Sequence, residues 1–330
     1  MKIGIIGAGI NGSYLAYRLR KDNDVVVIDK KAGFGNKPCS GLISERIWDF
    51  IPKKDNLVIH AIKEARIHFL RKTVSLIFKP KMLVFDRQKL DEYVGGLAKQ
   101  SGAKFVFGEN ISDISVGDKT VSVNDKWTFH KLIGCDGANS VVRQKLTNKE
   151  QKFRLGIYFY EKKECFDDWV DTWPLKDGFA WRIPRGDSIE WGVIVPQKLA
   201  KREFDKLVER NNLKPEKIYS HIIPDDISIA DPKGSVNTIY SSPSARNITI
   251  CGDAAGLVKP WSGGGVIWGM TGADLLIENF GDFGKYERSI KKKFNNKVNL
   301  NKIGRNVLMF PTLEYFIPSK IQFDADWGIL

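Results

Sequence analysis

The sequence predicts an α/β protein in which a Rossmann-like dinucleotide-binding domain is interleaved with a mainly antiparallel β-sheet domain and followed by a C-terminal helical segment. Three observations predict it. The chain opens on a strand, a glycine-rich turn and a helix. Strand-to-glycine junctions recur at 135–143 and 252–265. Residues 151–200 hold ten aromatic side chains in fifty positions, against 11% for the 330-residue chain, as a broad apolar sheet requires.

Residues 2–6, KIGII, read as a buried strand, and 13–21 carry Leu15 and Leu19 at helical spacing. Between them lie Gly7, Gly9, Asn11 and Gly12 in a G-x-G-x-x-G string. Gly7 permits the tight turn, Gly9 lets the backbone approach a pyrophosphate, and Gly12 lets the helix pack closely on the strand. The free N–H groups of the helix N-terminus then attract the diphosphate. Residues 24–28 form a second strand ending at Asp29, followed by Lys30. Asp29 stands 22 positions after Gly7, the distance at which a carboxylate accepts from an adenosine ribose.

Short β-like runs fill 57–79, and a helical segment opens at Val84 and continues to about Lys99. Strands return over 104–134 and end at Cys135-Asp136-Gly137. Another strand, 248–252, leads through Gly252-Asp253 to Pro260 and the run Gly263-Gly264-Gly265, which enters a helix. The nucleotide unit is therefore expected to be discontinuous, over 1–50, 85–150 and 241–284. A substrate sheet takes 51–84 and 151–240, and the helical segment takes 285–330.

Together the glycine fingerprint, the Asp136-Gly137 pair in CDGANSVVR, and CGDAAG followed by P-W-S-G-G-G resemble the FAD-binding set of the p-hydroxybenzoate-hydroxylase-like flavoproteins. Within that superfamily Pro38-Cys39-Ser40-Gly41-Leu42 and the segment GFAWRIP at 178–184 resemble geranylgeranyl reductases, although Ile183-Pro184 stands where that family usually has Phe-Pro. The resemblance implies FAD as cofactor and saturation of isoprenoid C=C bonds, by hydride from N5 of the reduced flavin, as in archaeal lipid synthesis. It implies that Asp136, Gly137, Gly252 and Asp253 hold the cofactor and that Arg87 touches it. Pro260 to Gly265 would present bare backbone to the flavin ring. Cys39, Ser40 and Gly41 would lie on a loop passing the flavin, with Cys39 either delivering a proton or shaping the pocket. Phe179 and Trp181, two apart on a strand, face one side and line the substrate cavity. Other readings stay open: a flavin monooxygenase or halogenase, since F-x-W-x-I-P approaches a halogenase string, and a flavin-bound electron carrier without catalysis.

One dinucleotide fingerprint leaves the reductant to bind transiently or to be a protein such as ferredoxin, with NAD(P)H as the small-molecule alternative. A net charge of +13, from 52 basic and 39 acidic residues, is most local at 285–305, which holds eight Lys/Arg and one acidic residue. Such a stretch serves a solvated surface, an acidic redox partner or a peripheral membrane contact. No nucleic-acid motif accompanies it. Four scattered cysteines and four histidines make neither a metal-ligand spacing nor a disulfide framework, so a cytoplasmic protein without metal is expected. No apolar run reaches the length of a membrane span or a signal peptide's core, and the chain is expected not to cross a membrane.

Overall fold

The computed structural model describes residues 1–35, 37–147, 151–225, 227, 247–307 and 317–329. Strand β1 (Lys2–Ile6), helix α1 (Ile10–Leu19) and strand β2 (Asp24–Asp29) form the expected opening unit. After β3 (Leu42–Ser44) come two long strands, β4 (Val58–His68) and β5 (Thr73–Phe85), where the sequence showed only short runs. The helix expected from Val84 is α2 (Arg87–Gln100). Val84 and Phe85 finish β5 instead, because the Asp86 carboxylate caps the backbone N–H groups of Gln88 and Lys89 and so sets the helix start.

Next come β6 (Lys104–Phe107), a small antiparallel meander of β7 (Ile114–Val116), β8 (Val121–Val123) and β9 (Trp127–Phe129), then β10 (Lys131–Gly134) and α3 (Val141–Leu146). The aromatic region supplies β11 (Phe153–Glu161), β12 (Trp169–Leu175), β13 (Gly178–Pro184) and β14 (Ile189–Pro196), followed by α4 (Gln197–Arg210) and β15 (Ile218–Pro224). The chain closes with β16 (Ile248–Ile250), α5 (Val266–Glu278), α6 (Phe283–Val307), β17 (Lys320–Asp324) and β18 (Gly328–Ile329).

Two sheets carry the architecture. The first is parallel throughout, in the order β16-β10-β1-β2-β6. Its strands are near-continuous apolar runs because helices or the meander cover both faces, and Ile3, Ile5, Val25 and Val27 are fully buried. The second has ten strands, running β15-β11-β14-β13-β12-β4-β5-β17-β18, with β3 paired to β5. It is mainly antiparallel; β12 with β4 and β17 with β5 are its parallel pairs.

Some boundaries differ from the sequence reading. Residues 42–44, placed there in the nucleotide unit, pair with β5 in the large sheet. Of the segment expected to be helical over 285–330, residues to Val307 belong to α6, and 320–324 is instead a strand parallel to β5. In KIQFD, Ile321 and Phe323 alternate with polar residues and pack on the apolar face of β4 and β5, so the period is two rather than 3.6. The expected boundaries at 150/151 and 240/241 fall at or inside stretches outside the described residues. Among the described residues no helix is long and apolar enough to cross a membrane, and no group of three or more His, Cys, Asp and Glu side chains is placed to hold a metal.

Candidate active site

Two cavities open at the C-terminal ends of β1, β2 and β10. One, of about 290 Å³, is lined by Gly7, Gly9, Asn11, Asp29, Lys30, Asp136 and Gly137. The other, of about 230 Å³, lies under the concave sheet and is lined by Cys39, Ser40, Phe179, Trp181, Gly263, Gly264 and Gly265, with an apolar wall of Ile67, Leu76, Phe78 and Met82. Ile10, Asn11, Lys37, Arg87, His221 and Asp253 line both, so the cavities form one cleft with a nucleotide arm and an apolar arm.

The nucleotide arm is built by backbone geometry. Gly7 has φ +104°, and a Cβ there would strike the Cys135 carbonyl. A Cβ on Gly12 would overlap the Gly7 carbonyl oxygen, so Gly12 serves close packing and stands behind the cavity wall. Gly9 differs: a Cβ there would have no heavy atom within 4 Å, and the space in front of it belongs to the cleft. Gly137, at φ +82°, faces the same cavity with equal clearance. Asp29 accepts from Ala8 N–H at 2.6 Å and Lys31 N–H at 2.8 Å, which anchors the turn and leaves lone pairs for a ribose hydroxyl.

Asp136, expected to hold the cofactor, has its carboxylate engaged elsewhere. It accepts from Ser140 Oγ at 2.6 Å, Val141 N–H at 2.7 Å and Val142 N–H at 3.2 Å, and so ties down the start of α3. Asp136 thus lines the nucleotide arm and also fixes the loop that presents Gly137. Gly41, Gly252 and Pro260 line neither cavity. Gly41 and Gly252 adopt positive φ where a Cβ would press on the Phe85 carbonyl and on Asn11, and Pro260 is buried behind the wall.

The junction of the arms is strongly charged. Lys37 Nζ lies 2.5 Å from Asp253 Oδ2. Burial alone would raise the Asp253 carboxyl, but the charge and hydrogen bond of Lys37, with His221 and Arg87 nearby, hold it below the usual carboxylate range. His221 is pushed down to about 4 by burial and by Lys37, so it is neutral, and its Nε2 is buried without a hydrogen-bond partner. Arg87 is buried; its Nη2 donates to Asp91 Oδ1 at 2.9 Å and its Nη1 to Cys39 Sγ at 3.0 Å. Sequence reasoning missed Lys37, His221 and Lys259, whose Nζ donates to the Ala325 carbonyl at 2.7 Å. The Lys37–Asp253 pair spans 216 positions, and no local pattern announces it.

Lys37→Met should invert the acid response of the apoprotein. With Lys37 present, the lowered Asp253 contributes stability above its unfolded pKa of roughly 4 and loses it as pH falls through the folded value. Without Lys37, burial raises the carboxyl, and the Asp253 contribution then declines as pH rises. The expected loss near neutral pH is about 2–3 kcal/mol, below the ~3–5 of a fully buried pair because Lys37 is 31% exposed. Urea titrations between acid and neutral pH read it, and parallel stability profiles for the two proteins would contradict it.

The sequence profile of the NAD(P)-binding Rossmann-like domain family matches residues 5–37. The chain is 25% identical over 297 residues to digeranylgeranylglycerophospholipid reductase 1 of Methanosphaera stadtmanae, covering 81% of this chain and 72% of that one. It is 27% identical over 299 residues to geranylgeranyl diphosphate reductase of Rhodobacter capsulatus, covering 83% and 73%. A geranylgeranyl bacteriochlorophyll reductase-like structure from Thermoplasma acidophilum superposes with TM-score 0.78 at 18% identity, over 96% of this chain and 90% of that one. In sequence the chain is similar to both of these reductases, and in fold to the third protein. The fold is shared with halogenase PltM, solved with FAD, at TM-score 0.66 and 13% identity over 94% of this chain and 77% of that one.

FAD is the cofactor bound in that halogenase structure. The cleft of this chain fits such a group on three counts: bare backbone at Gly9 and Gly137 facing open space, a buried Asn11 Oδ1 without a hydrogen-bond partner, and a second arm of about 230 Å³ beyond Asp253.

Proposed function

We propose that the protein is an FAD-dependent reductase that saturates C=C bonds of an isoprenoid chain. The observation that carries this reading is the apolar arm. It begins at the glycine run 263–265 and ends on an aliphatic and aromatic sheet face with few groups able to hydrogen-bond a ligand. A prenyl chain offers no hydrogen bonds, so area and shape must recognise it. Bound FAD, once reduced, would supply hydride.

This chain's own residues do the rest. Gly9, Gly137 and the α1 N-terminus receive the diphosphate, and Asp29 the ribose. Lys37 and Arg87 keep positive charge at the junction, where reduced cofactor carries negative charge. Phe179 and Trp181, with ring centroids 5.8 Å apart, hold the chain against the sheet. Cys39 shapes the cavity, with its sulfur accepting from Arg87 at 3.0 Å. Cys39→Ala should therefore keep FAD and slow reoxidation of the reduced enzyme by substrate less than tenfold. A loss of about 10²-fold or more would return Cys39 to acid chemistry.

Anaerobic incubation of the reduced protein with prenyl diphosphates and prenylated glycerolipids, with mass spectrometry counting added hydrogens, tests the reading. Product two mass units heavier per bond supports it. Substrate-stimulated oxygen consumption with no saturated product would favour a monooxygenase. Ferredoxin or NAD(P)H would reduce the cofactor transiently, since the cleft offers one dinucleotide arm. The lysines of α6 would meet an acidic partner or an anionic lipid surface.

A further inference from the structure

Saturating a double bond needs a hydride at one carbon and a proton at the other, and the Cys39 sulfur accepts from Arg87 at the junction of the two arms. The concave face of the sheet places another hydroxyl in the apolar arm. Strand parity puts Tyr158 and Tyr160 of β11, Glu190 and Gly192 of β14 and Trp181 of β13 on one face: Tyr158 lies opposite Gly192, Tyr160 opposite Glu190, and Trp181 opposite Gly192. Gly192 is the gap that admits them, because a Cβ there would strike the Trp181 indole and Tyr158.

Glu190 is fully buried, an expensive place for a carboxyl behind a greasy cavity. Its Oε1 accepts from Trp181 Nε1 at 2.9 Å. Its Oε2 makes no hydrogen bond and faces Arg185 Nη1 at 3.6 Å. Arg185 is itself held by the Ser40 and Phe85 carbonyls and lies over the Tyr160 ring. The Tyr158 and Tyr160 rings meet edge to face with centroids 5.7 Å apart, and Tyr160 stands directly across the strand pair from Glu190. Tyr158 lines the apolar arm; Tyr160 and Glu190 stand behind it.

We propose that Tyr158 is the proton donor to the alkene and that half-buried Tyr160 and buried Glu190 form the relay that restores its proton. The assignment rests on the reductase reading above. As the π bond is lost, one carbon gains hydride from the reduced cofactor, which is oxidised, and the other gains the Tyr158 phenolic proton. The phenolate regains a proton from Tyr160, which takes one from the Glu190 carboxyl, and solvent reprotonates Glu190 after product leaves. Burial first and the neighbouring Glu190 second hold both phenols above the usual phenol range, and burial raises the Glu190 carboxyl against the opposing charge of Arg185. The sulfur of Cys39 and the guanidinium of Arg185 border the relay without supplying its proton.

The test compares FAD-loaded wild type, Tyr158→Phe and Cys39→Ala, photoreduced without oxygen and mixed with geranylgeranyl diphosphate in a stopped-flow instrument. Tyr158→Phe should reoxidise at least 100-fold more slowly at saturating substrate, with FAD content and substrate affinity, read from perturbation of the oxidised flavin spectrum, unchanged. A smaller loss of rate, or a loss of affinity of the same size, overturns the assignment, since packing alone would produce it. Infrared spectra taken without substrate give a second reading: a protonated-carboxyl band present in wild type and in Tyr158→Phe, and absent from Glu190→Gln. No such band in wild type overturns the relay. If prenyl substrate leaves wild-type flavin reduced, the reductase reading falls and takes the role of Tyr158 with it. If wild type and Tyr158→Phe turn over alike, the tyrosine alone is wrong.

Discussion

Gly9→Val is expected to yield an apoprotein that folds normally and binds no FAD. Gly9 precedes α1 with φ −68° and ψ 177°, extended backbone open to any residue. An added Cβ meets no protein atom within 4 Å, so the fold loses little more than a favourable cap, about 1 kcal/mol. The same side chain projects into the nucleotide arm, where a diphosphate needs main-chain N–H groups at hydrogen-bond distance. Losing that approach should weaken FAD by at least ~4 kcal/mol, roughly a thousandfold in Kd. Gly12→Ala supplies the contrast, because its Cβ would overlap the Gly7 carbonyl and the variant should lose structure along with cofactor. Flavin absorbance after reconstitution and a thermal melt of the apoprotein read the pair. A Gly9→Val protein that stays yellow would remove the diphosphate from this turn, and one that fails to fold would show that the glycine serves packing.

The contrast between Gly9 and Gly12 also shows what a sequence can carry. Within the opening β-α-β unit each glycine's expected task follows from its neighbours a few positions away: Gly7 turns at positive φ, Gly12 packs against it, and Gly9 has open space before it. The parity of Phe179 and Trp181 was equally legible, because a strand's faces alternate whatever it pairs with. Partners were not legible. The pairing of Lys37 with Asp253, the engagement of Asp136 by α3, and the meeting of Glu190 with Trp181 and Arg185 depend on which strands become neighbours. For the same reason 320–324 was read as helix: the basic helical pattern before it gives no sign that five residues return to β5. Charge at the junction and protons behind the cavity therefore belong to the tertiary structure, while the nucleotide turn belongs to the local sequence.

Trp181→Ala is expected to weaken long prenyl substrates far more than short ones, with FAD content unchanged. Trp181 is only partly buried by protein; the remainder of its indole, next to Phe179, forms wall of the apolar arm. A prenyl chain passing that wall buries carbon against it at about 0.8 kcal/mol per CH₂. Losing contact with four carbons should cost ~3 kcal/mol, about two orders of magnitude in Kd for a twenty-carbon chain. A five-carbon substrate held near the flavin end should lose less than tenfold. The indole has a second task, since its Nε1 donates to the buried Glu190. Trp181→Phe separates the two: it keeps most of the wall but leaves Glu190 Oε1 without its donor, at a cost of about 1–3 kcal/mol in stability. Trp181→Phe should thus melt lower yet retain long-chain affinity, whereas Trp181→Ala should lose both. Equal losses for five-carbon and twenty-carbon substrates in Trp181→Ala would place the chain elsewhere, and retained long-chain affinity in that variant would put the substrate outside this arm of the cleft.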